Sequence, residues 1–294
     1  MRMDVSIGTN MLECGPPWRM ERRHLAPLAE AGARAIDLHM GARYEAVCGI
    51  PPLRSTRCFV EFHSEPHCRE IARWMEELGL RAVCAHTSVM GPLDVSSTYQ
   101  RIREFAVQEL RAMIPFCAFL NIPVMVVHPG DRMPPGEPSA RRWARVKESM
   151  TKLIPDLEKH HLKIALENLL PGSVSVALAE LVQAVNDLNH PLIGVCLDTG
   201  HLNVMQGRPA DAVRLIGPRL FALHVHDNHG KNDEHKPPFD GSIEWGGFAE
   251  ALAEVGYAGT LNLEVLDPAR RGEMADAEFI RRALAMGRRV LETE

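Results

Sequence analysis

The sequence lacks several features that identify large classes of proteins. No apolar run is long enough to cross a bilayer, and the first ten residues carry no signal-peptide core, so we expect no membrane partner and no export. The seven cysteines are odd in number and form no C-x-x-C pair, which argues against a disulfide framework and against a zinc knuckle. We therefore expect buried, reduced thiols and a cytoplasmic location.

An excess of positive charge is also missing. The chain has 33 Lys and Arg against 38 Asp and Glu, which gives a formal net charge of -5. Proteins that grip a nucleic-acid backbone do so with clustered cationic side chains, so the composition argues against a nucleic-acid partner. No G-x-G-x-x-G string follows the first predicted strand, and a dinucleotide-binding fold therefore lacks its usual sequence signature.

The sequence does contain a regular alternation of short apolar segments with longer amphipathic stretches. The apolar segments are rich in Val, Ile and Leu and predict eight strands, at residues 5–8, 35–38, 82–86, 124–128, 163–167, 193–198, 220–226 and 260–264. The amphipathic stretches predict helices, for example at residues 66–78, 97–119, 140–160, 174–188 and 248–255. Apolar strands joined by helical crossovers indicate a parallel sheet covered on both faces.

Eight successive strand–helix units favour one closed (β/α)8 TIM barrel over an open, doubly wound sheet. We expect a single barrel domain over residues 1–294. The segment 41–65 is predicted to be a long, irregular insertion, and two loops rich in Pro and Gly, 129–138 and 230–241, follow strands. Barrels of this kind carry their active sites at the carboxyl ends of the strands, so we expect functional residues there.

Polar residues recur at the ends of the predicted strands. Each closes an apolar run: His86, His128, Glu167, Asp198, His224, His226 and Glu264. In a barrel these ends converge on one axis, so residues distant in sequence become neighbours. Buried carboxylates need a partner, and a divalent cation bound by Glu167, Asp198, His224 and Glu264 would supply one. Mn²⁺, Zn²⁺, Co²⁺ and Mg²⁺ suit such ligands to differing degrees.

Two local strings extend this set. In Leu-Asp198-Thr-Gly-His201, the histidine follows the aspartate by three residues and is expected in the loop after strand six. Strand alternation sends His224 and His226 to the same side of strand seven. The loop after them is dense in potential ligands, namely Lys231, Asp233 and His235. Singly, each residue has a plainer explanation, such as a helix cap or a hydrogen-bonded histidine. Only the whole set, at the ends of successive strands, indicates a metal site.

Seven strings carry a family resemblance: His128-Pro-Gly, Leu-Glu167-Asn168, Leu-Asp198-Thr-Gly-His201, Leu-His224-Val-His226-Asp-Asn, Asp233-Glu-His235, Gly241-Ser-Ile-Glu-Trp245 and Leu-Glu264-Val. In this order and at strand ends, they resemble the xylose isomerase-like TIM-barrel superfamily. That group contains sugar phosphate isomerases and epimerases and also the apurinic-site endonucleases of AP endonuclease family 2. The resemblance runs from the first strand to the last and is densest from Val124 onward.

The resemblance implies a divalent-metal-dependent isomerase or epimerase of a sugar, sugar phosphate or polyol. It implies four metal ligands, Glu167, Asp198, His224 and Glu264. The two glutamates would also be the acid/base pair that moves a proton through an enediolate. His201 matches a substrate-contacting histidine, and Lys231 lies near the place of a substrate-binding arginine. We expect His86, His128 and His226 to contact the substrate as well.

The resemblance also leaves alternatives open. A dehydratase or lyase of the same family would use the same metal and base but expel a β-hydroxyl group. The endonuclease branch binds a trinuclear zinc cluster, and nine residues match its positions: His86, His128, Glu167, Asp198, His201, His224, Asp233, His235 and Glu264. Of these, His86, His128, His201, Asp233 and His235 would be additional metal ligands.

Two observations argue against nuclease activity. The composition is acidic, and no loop with inserting Arg and aromatic side chains is evident. The nearest candidate, Arg141-Arg142-Trp143, predicts only a helix start with an amphipathic face. A barrel that kept the fold and lost turnover is a further alternative, because fold does not determine function. Barrels of this family often self-associate, so a homo-oligomer is an additional expectation.

Overall fold

A computed structural model describes residues 3–12, 19–41, 60–87, 89, 91, 93–130, 136–175, 177–266 and 276–293. Eight strands run through these residues: β1 Val5–Gly8, β2 Ala35–Met40, β3 Arg81–Thr87, β4 Val124–Val127, β5 Lys163–Glu167, β6 Ile193–Asp198, β7 Leu220–His224 and β8 Leu261–Leu263. All neighbouring strands are parallel, in the order β7-β6-β5-β4-β3-β2-β1-β8.

The two outer strands of this order meet and close the sheet into a barrel. Val225, just after β7, forms a parallel bridge with Leu263 of β8. Its amide donates to the Asn262 carbonyl at 2.7 Å, and its own carbonyl accepts from the Glu264 amide at 3.1 Å. The predicted (β/α)8 TIM barrel is therefore confirmed.

Ten α-helices lie among the described residues: α1 Arg22–Glu30, α2 Glu65–Leu78, α3 Gln100–Phe119, α4 Ser139–Thr151, α5 Ile154–His160, α6 Leu178–Leu188, α7 Thr199–Val204, α8 Pro209–Ile216, α9 Phe248–Glu254 and α10 Ala277–Val290. Local signals set their ends. In α2, the Ser64 side chain accepts from the His67 amide, and Gly79 ends the helix in the left-handed region. In the described part of the chain, no helix combines the length and apolarity that a membrane span requires.

The predicted elements agree with the structure except at several boundaries. Strands β5 and β6 have the predicted bounds, whereas β7 ends at His224 and β8 at Leu263. The single helix predicted over 140–160 is wrong, because α4 and α5 are separate and Pro155 lies in the first turn of α5. Helices α3 and α6 begin three and four residues later than predicted, at Gln100 and Leu178. Most of the predicted 41–65 insertion and part of the 129–138 loop lie outside the described residues.

The barrel interior is built in layers. A small apolar cluster combines Cys84, Val124, Val126, Ala165, Cys196 and Ala222, all buried. Five of these side chains lie two residues before a polar strand-end residue and therefore share its face of the strand. The pairs are Cys84 and His86, Val126 and His128, Ala165 and Glu167, Cys196 and Asp198, and Ala222 and His224. Small apolar residues thus form the floor beneath the polar strand ends.

A buried arginine on α4 ties together the segments that follow two strands. Arg142 is fully buried, and its guanidinium donates to Asp94 at 2.7 Å and to the Ser96 hydroxyl at 3.0 Å. A Cβ at Gly130 would overlap the Ser96 hydroxyl, so the segments after β3 and β4 are in close contact here. Helix α4 does begin in this region, at Ser139, as residues 141–143 predicted. Arg142 faces the interior of the protein.

We expect Arg142→Leu to lower the free energy of unfolding by about 3 kcal/mol, because removing one member of a buried ion pair leaves the other charge in a low dielectric. Arg282→Leu is the matched control, since that arginine is half-exposed and also pairs with an aspartate, Asp240. Its loss should cost less than about 1 kcal/mol. Urea unfolding measures both, and equal losses would contradict a structural role for the Arg142 pair.

Candidate metal centre

Four strand-end residues form the centre of the site. Glu167 ends β5, Asp198 ends β6, His224 ends β7, and Glu264 directly follows β8. One ligand atom from each lies within 4.8 Å of the others, and all four side chains are buried. The Nδ1 atom of His224 lies 3.0 Å from Glu167 Oε1 and 3.1 Å from Glu264 Oε2. The barrel therefore brings together the four residues predicted as metal ligands.

Charge in this group is balanced by imidazoles. Burial opposes ionisation of Glu167, but the positive charge of His224 and hydrogen bonds from His128, His224 and His86 hold the pKa of Glu167 well below its usual value. Burial likewise opposes the charge on His224, yet the neighbouring carboxylates raise its pKa well above the ordinary value. In the described part of the chain, every ion pair of Glu167 is with a histidine.

Backbone and side-chain hydrogen bonds orient Asp198. The side-chain amide of Asn168 donates from Nδ2 to the backbone carbonyl of Asp198 at 2.9 Å, and its Oδ1 accepts from the backbone N–H of Asp198 at 2.8 Å. The Asp198 carboxylate also accepts from the His201 amide at 2.7 Å as the N-cap of α7. Asp198 is thus a helix cap and a candidate ligand at once. His201 was expected in a loop, and that prediction is wrong, because the cap starts a helix at Thr199.

A second group shares Glu167 with the first. The Nε2 atoms of His86 and His128 each lie 3.3 Å from Glu167 Oε2, whereas His224 lies near Oε1 of the same carboxylate. The three residues form a possible metal-binding group of their own. Glu167 thus lies between two potential ion positions, as a bridging carboxylate would.

A third group is centred on Asp233 in the loop after β7. Its Oδ2 atom lies 2.9 Å from His235 Nε2 and 3.4 Å from His201 Nε2. His226 stacks on His235, with ring centroids 4.2 Å apart, and its Nε2 lies 3.0 Å from Asp198 Oδ1. All nine residues that match the trinuclear pattern are therefore clustered at one end of the barrel.

Two residues on β2 belong to the same cluster but were not predicted. Asp37 is 1 % exposed, and its Oδ2 lies 3.4 Å from His224 Nε2. His39 is 2 % exposed, packs on His86 with centroids 4.5 Å apart, and forms a possible metal-binding group with His86 and Glu264. The signal was present in the sequence, because Asp37-Leu-His39 has the same alternation as His224-Val-His226.

A cavity of about 310 Å³ opens onto these residues. Both glutamates and several imidazoles supply its polar lining, and Leu169, Leu170 and Pro171 supply apolar lining. A larger cavity of about 430 Å³ is lined by residues at the amino ends of the strands, such as Arg81 and Lys163. We assign the site to the smaller cavity, because the candidate ligands line it and barrels act at their carboxyl ends.

Of the five residues predicted to contact the substrate, three line the cavity and two do not. His86, His128 and His201 line it. His226 is fully buried and Lys231 is exposed, and neither is among the residues that line this cavity. The substrate roles of all five residues stay predictions. Trp245 is buried in the core.

The donor set fits a divalent cation. Three carboxylates and one imidazole, all buried, converge within one ion's reach. Such a concentration of like charge in a low dielectric is unfavourable unless protons or a cation neutralise it. Oxygen donors with one or two nitrogen donors suit Mn²⁺, Co²⁺ and Zn²⁺. Glu167, Asp198, His224 and Glu264 are the residues that would hold the ion.

Fold and site together define a TIM barrel with a carboxylate–histidine centre at its carboxyl end. Residues 25–284 match the family described as xylose isomerase-like TIM barrel. The chain belongs to this family, as the sequence strings predicted.

Relatives of different activity share segments of the chain. The uncharacterized protein y4fM of Sinorhizobium fredii is 28% identical over 65% of this chain and 61% of its own length. A D-psicose 3-epimerase of Ruminiclostridium cellulolyticum is 30% identical over 42% of this chain and 41% of its own. A probable endonuclease 4 of Chloroflexus aurantiacus is 25% identical over 52% of this chain and 57% of its own. The matched segments therefore cover less than two thirds of each relative.

Solved structures agree with the fold over nearly the whole chain. A D-tagatose 3-epimerase-like protein superposes with a TM-score of 0.77 at 20% identity, covering 99% of this chain and 98% of its own. The IolI protein, solved with a bound zinc atom, gives a TM-score of 0.78 at 16% identity, with 99% and 98% coverage. At these identities the similarity establishes the barrel alone.

We expect the metal-free protein to lose stability as the pH rises from 6.5 to about 9. Burial opposes the charge on His235, but the Asp233 hydrogen bond and nearby carboxylates raise its pKa from 6.5 to about 9. A group with a raised folded-state pKa stabilises fully below the unfolded value and ceases to do so above the folded one. His235→Gln should reduce this loss in pH-dependent urea unfolding. His160→Gln, on α5, is the control and should leave the loss intact; equal behaviour of the two variants would contradict the prediction.

Proposed function

We propose that this protein is a divalent-metal-dependent isomerase or epimerase of a small sugar-like molecule such as a ketose, sugar acid or cyclitol. The observation that carries the proposal is the pairing of Glu167 and Glu264, whose carboxylates approach His224 Nδ1 at 3.0 and 3.1 Å. Two carboxylates at one cavity are what proton removal and return at a substrate carbon require. Membership in this family, together with relatives that are a sugar epimerase and an inosose isomerase, supports an isomerase or epimerase activity.

Different residues of the chain have different roles in the proposed proton transfer. One glutamate, Glu167 or Glu264, takes a proton from the substrate carbon, and the other returns a proton from the opposite side. Hydrogen bonds from His86 and His128 hold the Oε2 side of Glu167. When bound, the cation supplies a Lewis acid that stabilises negative charge developing on adjacent substrate oxygens. Proton movement at carbon then depends on the two carboxylates alone.

The cavity supports a small polyol as the substrate. Its volume of about 310 Å³ lies near the lower limit of ordinary ligand sites. His86, His128 and His201 line it with hydrogen-bonding groups for hydroxyls, and Leu169 and Pro171 offer apolar surface for a carbon skeleton. The same base and cation would also serve a dehydratase or lyase, which differs in expelling a β-hydroxyl after the proton is removed.

A second candidate is phosphodiester hydrolysis at abasic sites, and the grouping of metal-binding residues favours it specifically. The groups around Glu167, Asp198 and Asp233 are linked through shared or contacting side chains, as a multinuclear centre requires. A relative of this chain is a probable endonuclease. Against it stand the net charge of -5 and the small cavity.

We expect Glu167→Gln to lower turnover by at least about a hundredfold, because the amide cannot accept the substrate proton. The assay incubates Mn²⁺- or Zn²⁺-loaded protein with a sugar panel in D₂O and follows deuterium incorporation by NMR. An active isomerase or epimerase exchanges a carbon-bound proton, whereas a lyase also releases a dehydrated product. Exchange unaffected by Glu167→Gln would contradict the assignment of this residue as acid/base catalyst.

Asp233→Asn separates the two candidate functions. Asp233 contacts His201 and His235 and lies outside the four-residue group, so a sugar isomerase with one ion keeps that ion in this variant. A nuclease with three ions loses an ion and its activity. Metal counting by elemental analysis and incision of an abasic-site oligonucleotide accompany the assay. Three zinc ions per chain together with incision would overturn the sugar proposal.

A further inference from the structure

Asp37 is a buried carboxylate that neither the proposed proton transfer nor the four-residue group uses. It lies in the middle of β2 and is 1 % exposed. An ionised carboxylate in such a place is costly unless specific partners hold it. In the described part of the chain its recorded partners are Asn262, whose amide donates to Oδ2 at 3.0 Å, and His224, whose Nε2 lies 3.4 Å from the same oxygen.

The contact with His224 brings together two side chains that each keep one buried polar atom without a hydrogen bond. Among the described residues, neither Asp37 Oδ1 nor His224 Nε2 makes a hydrogen bond, although both are buried. The 3.4 Å separation of Nε2 from Oδ2 is at the outer limit for such a bond. A small rotation of either side chain would therefore complete a hydrogen bond that satisfies a buried donor with a buried acceptor.

The second ring nitrogen of His224, Nδ1, faces away from Asp37 and toward the two glutamates. Nδ1 lies between Glu167 and Glu264, at 3.0 and 3.1 Å. A neutral imidazole can donate from only one nitrogen, and the nitrogen that binds a metal must be unprotonated. If Asp37 accepts from Nε2, the lone pair stays on Nδ1, toward the two glutamates.

We propose that Asp37 is the positioning residue of the metal centre: its carboxylate accepts a hydrogen bond from His224 Nε2 and fixes the tautomer in which Nδ1 binds the cation. This inference rests on the proposed metal dependence. It gives β2 a part in the site, although that strand supplies none of the four ligands. Carboxylates that hold metal-bound histidines in this way contribute one to two orders of magnitude to metal affinity.

The first test measures Zn²⁺ and Mn²⁺ affinity by chelator competition. We expect Asp37→Asn to weaken binding by about tenfold and Asp37→Ala by up to about a hundredfold. Asn preserves the volume of the side chain and its ability to bond Asn262, so a merely structural residue would tolerate it. Asp211→Asn, an exposed carboxylate on α8, is the control and should leave affinity unchanged. Unchanged affinity in a stably folded Asp37→Asn protein would overturn the proposal.

The second test needs no variant of Asp37. Long-range ¹H–¹⁵N NMR of histidine-labelled, Zn²⁺-loaded protein reports which ring nitrogen carries the proton, with the His224 signals assigned by His224→Gln. We expect a proton on Nε2 and metal on Nδ1, and the reverse tautomer would overturn the proposal. The two proposals can be tested separately. A wild-type protein that binds no metal would contradict the proposed function. Normal metal binding with the proton on Nδ1 would contradict only the role of Asp37.

Discussion

The structure depends on enclosing several carboxylates in one low-dielectric space. Glu167, Asp198 and Glu264 converge at the carboxyl end of the barrel, where solvent cannot neutralise them. Imidazoles supply the compensating charge in the protein alone, which is why the pKa of Glu167 is lowered and that of His224 is raised. A divalent cation would replace the imidazole protons, so metal binding and proton release are coupled in such a site.

The rest of the barrel holds this unfavourable arrangement in place. Each candidate ligand lies at or next to a strand end, and the strands are fixed by parallel ladders and by the closure through Val225. Small side chains two residues earlier, such as Cys84 and Ala165, leave the interior narrow enough for the strand ends to meet. Asn168 holds the backbone of Asp198 by two hydrogen bonds, so this candidate ligand is positioned by hydrogen-bonded main chain.

The sequence alone predicted the barrel and the convergence of the candidate ligands, because both follow from periodicity and from polar residues that interrupt apolar strands. It failed where the deciding interaction is local or tertiary. Pro155 splits the helix predicted over 140–160, and the Asp198 cap turns the expected loop at His201 into a helix. Asp37 and His39 were not predicted: His39 lies beyond the predicted strand 35–38 and opposite His86 on β3, and Asp37 reaches His224 only because the sheet closes into a barrel. Cavity shape depends on side-chain packing that no periodicity encodes.

Anomalous diffraction from a Mn²⁺-soaked crystal tests the central claim most directly, since it locates the ion without reference to any substrate. The expected result is a peak within coordination distance of donor atoms of Glu167, Asp198, His224 and Glu264. A peak confined to the Asp233 group, or no peak while the four side chains remain paired among themselves, would contradict it.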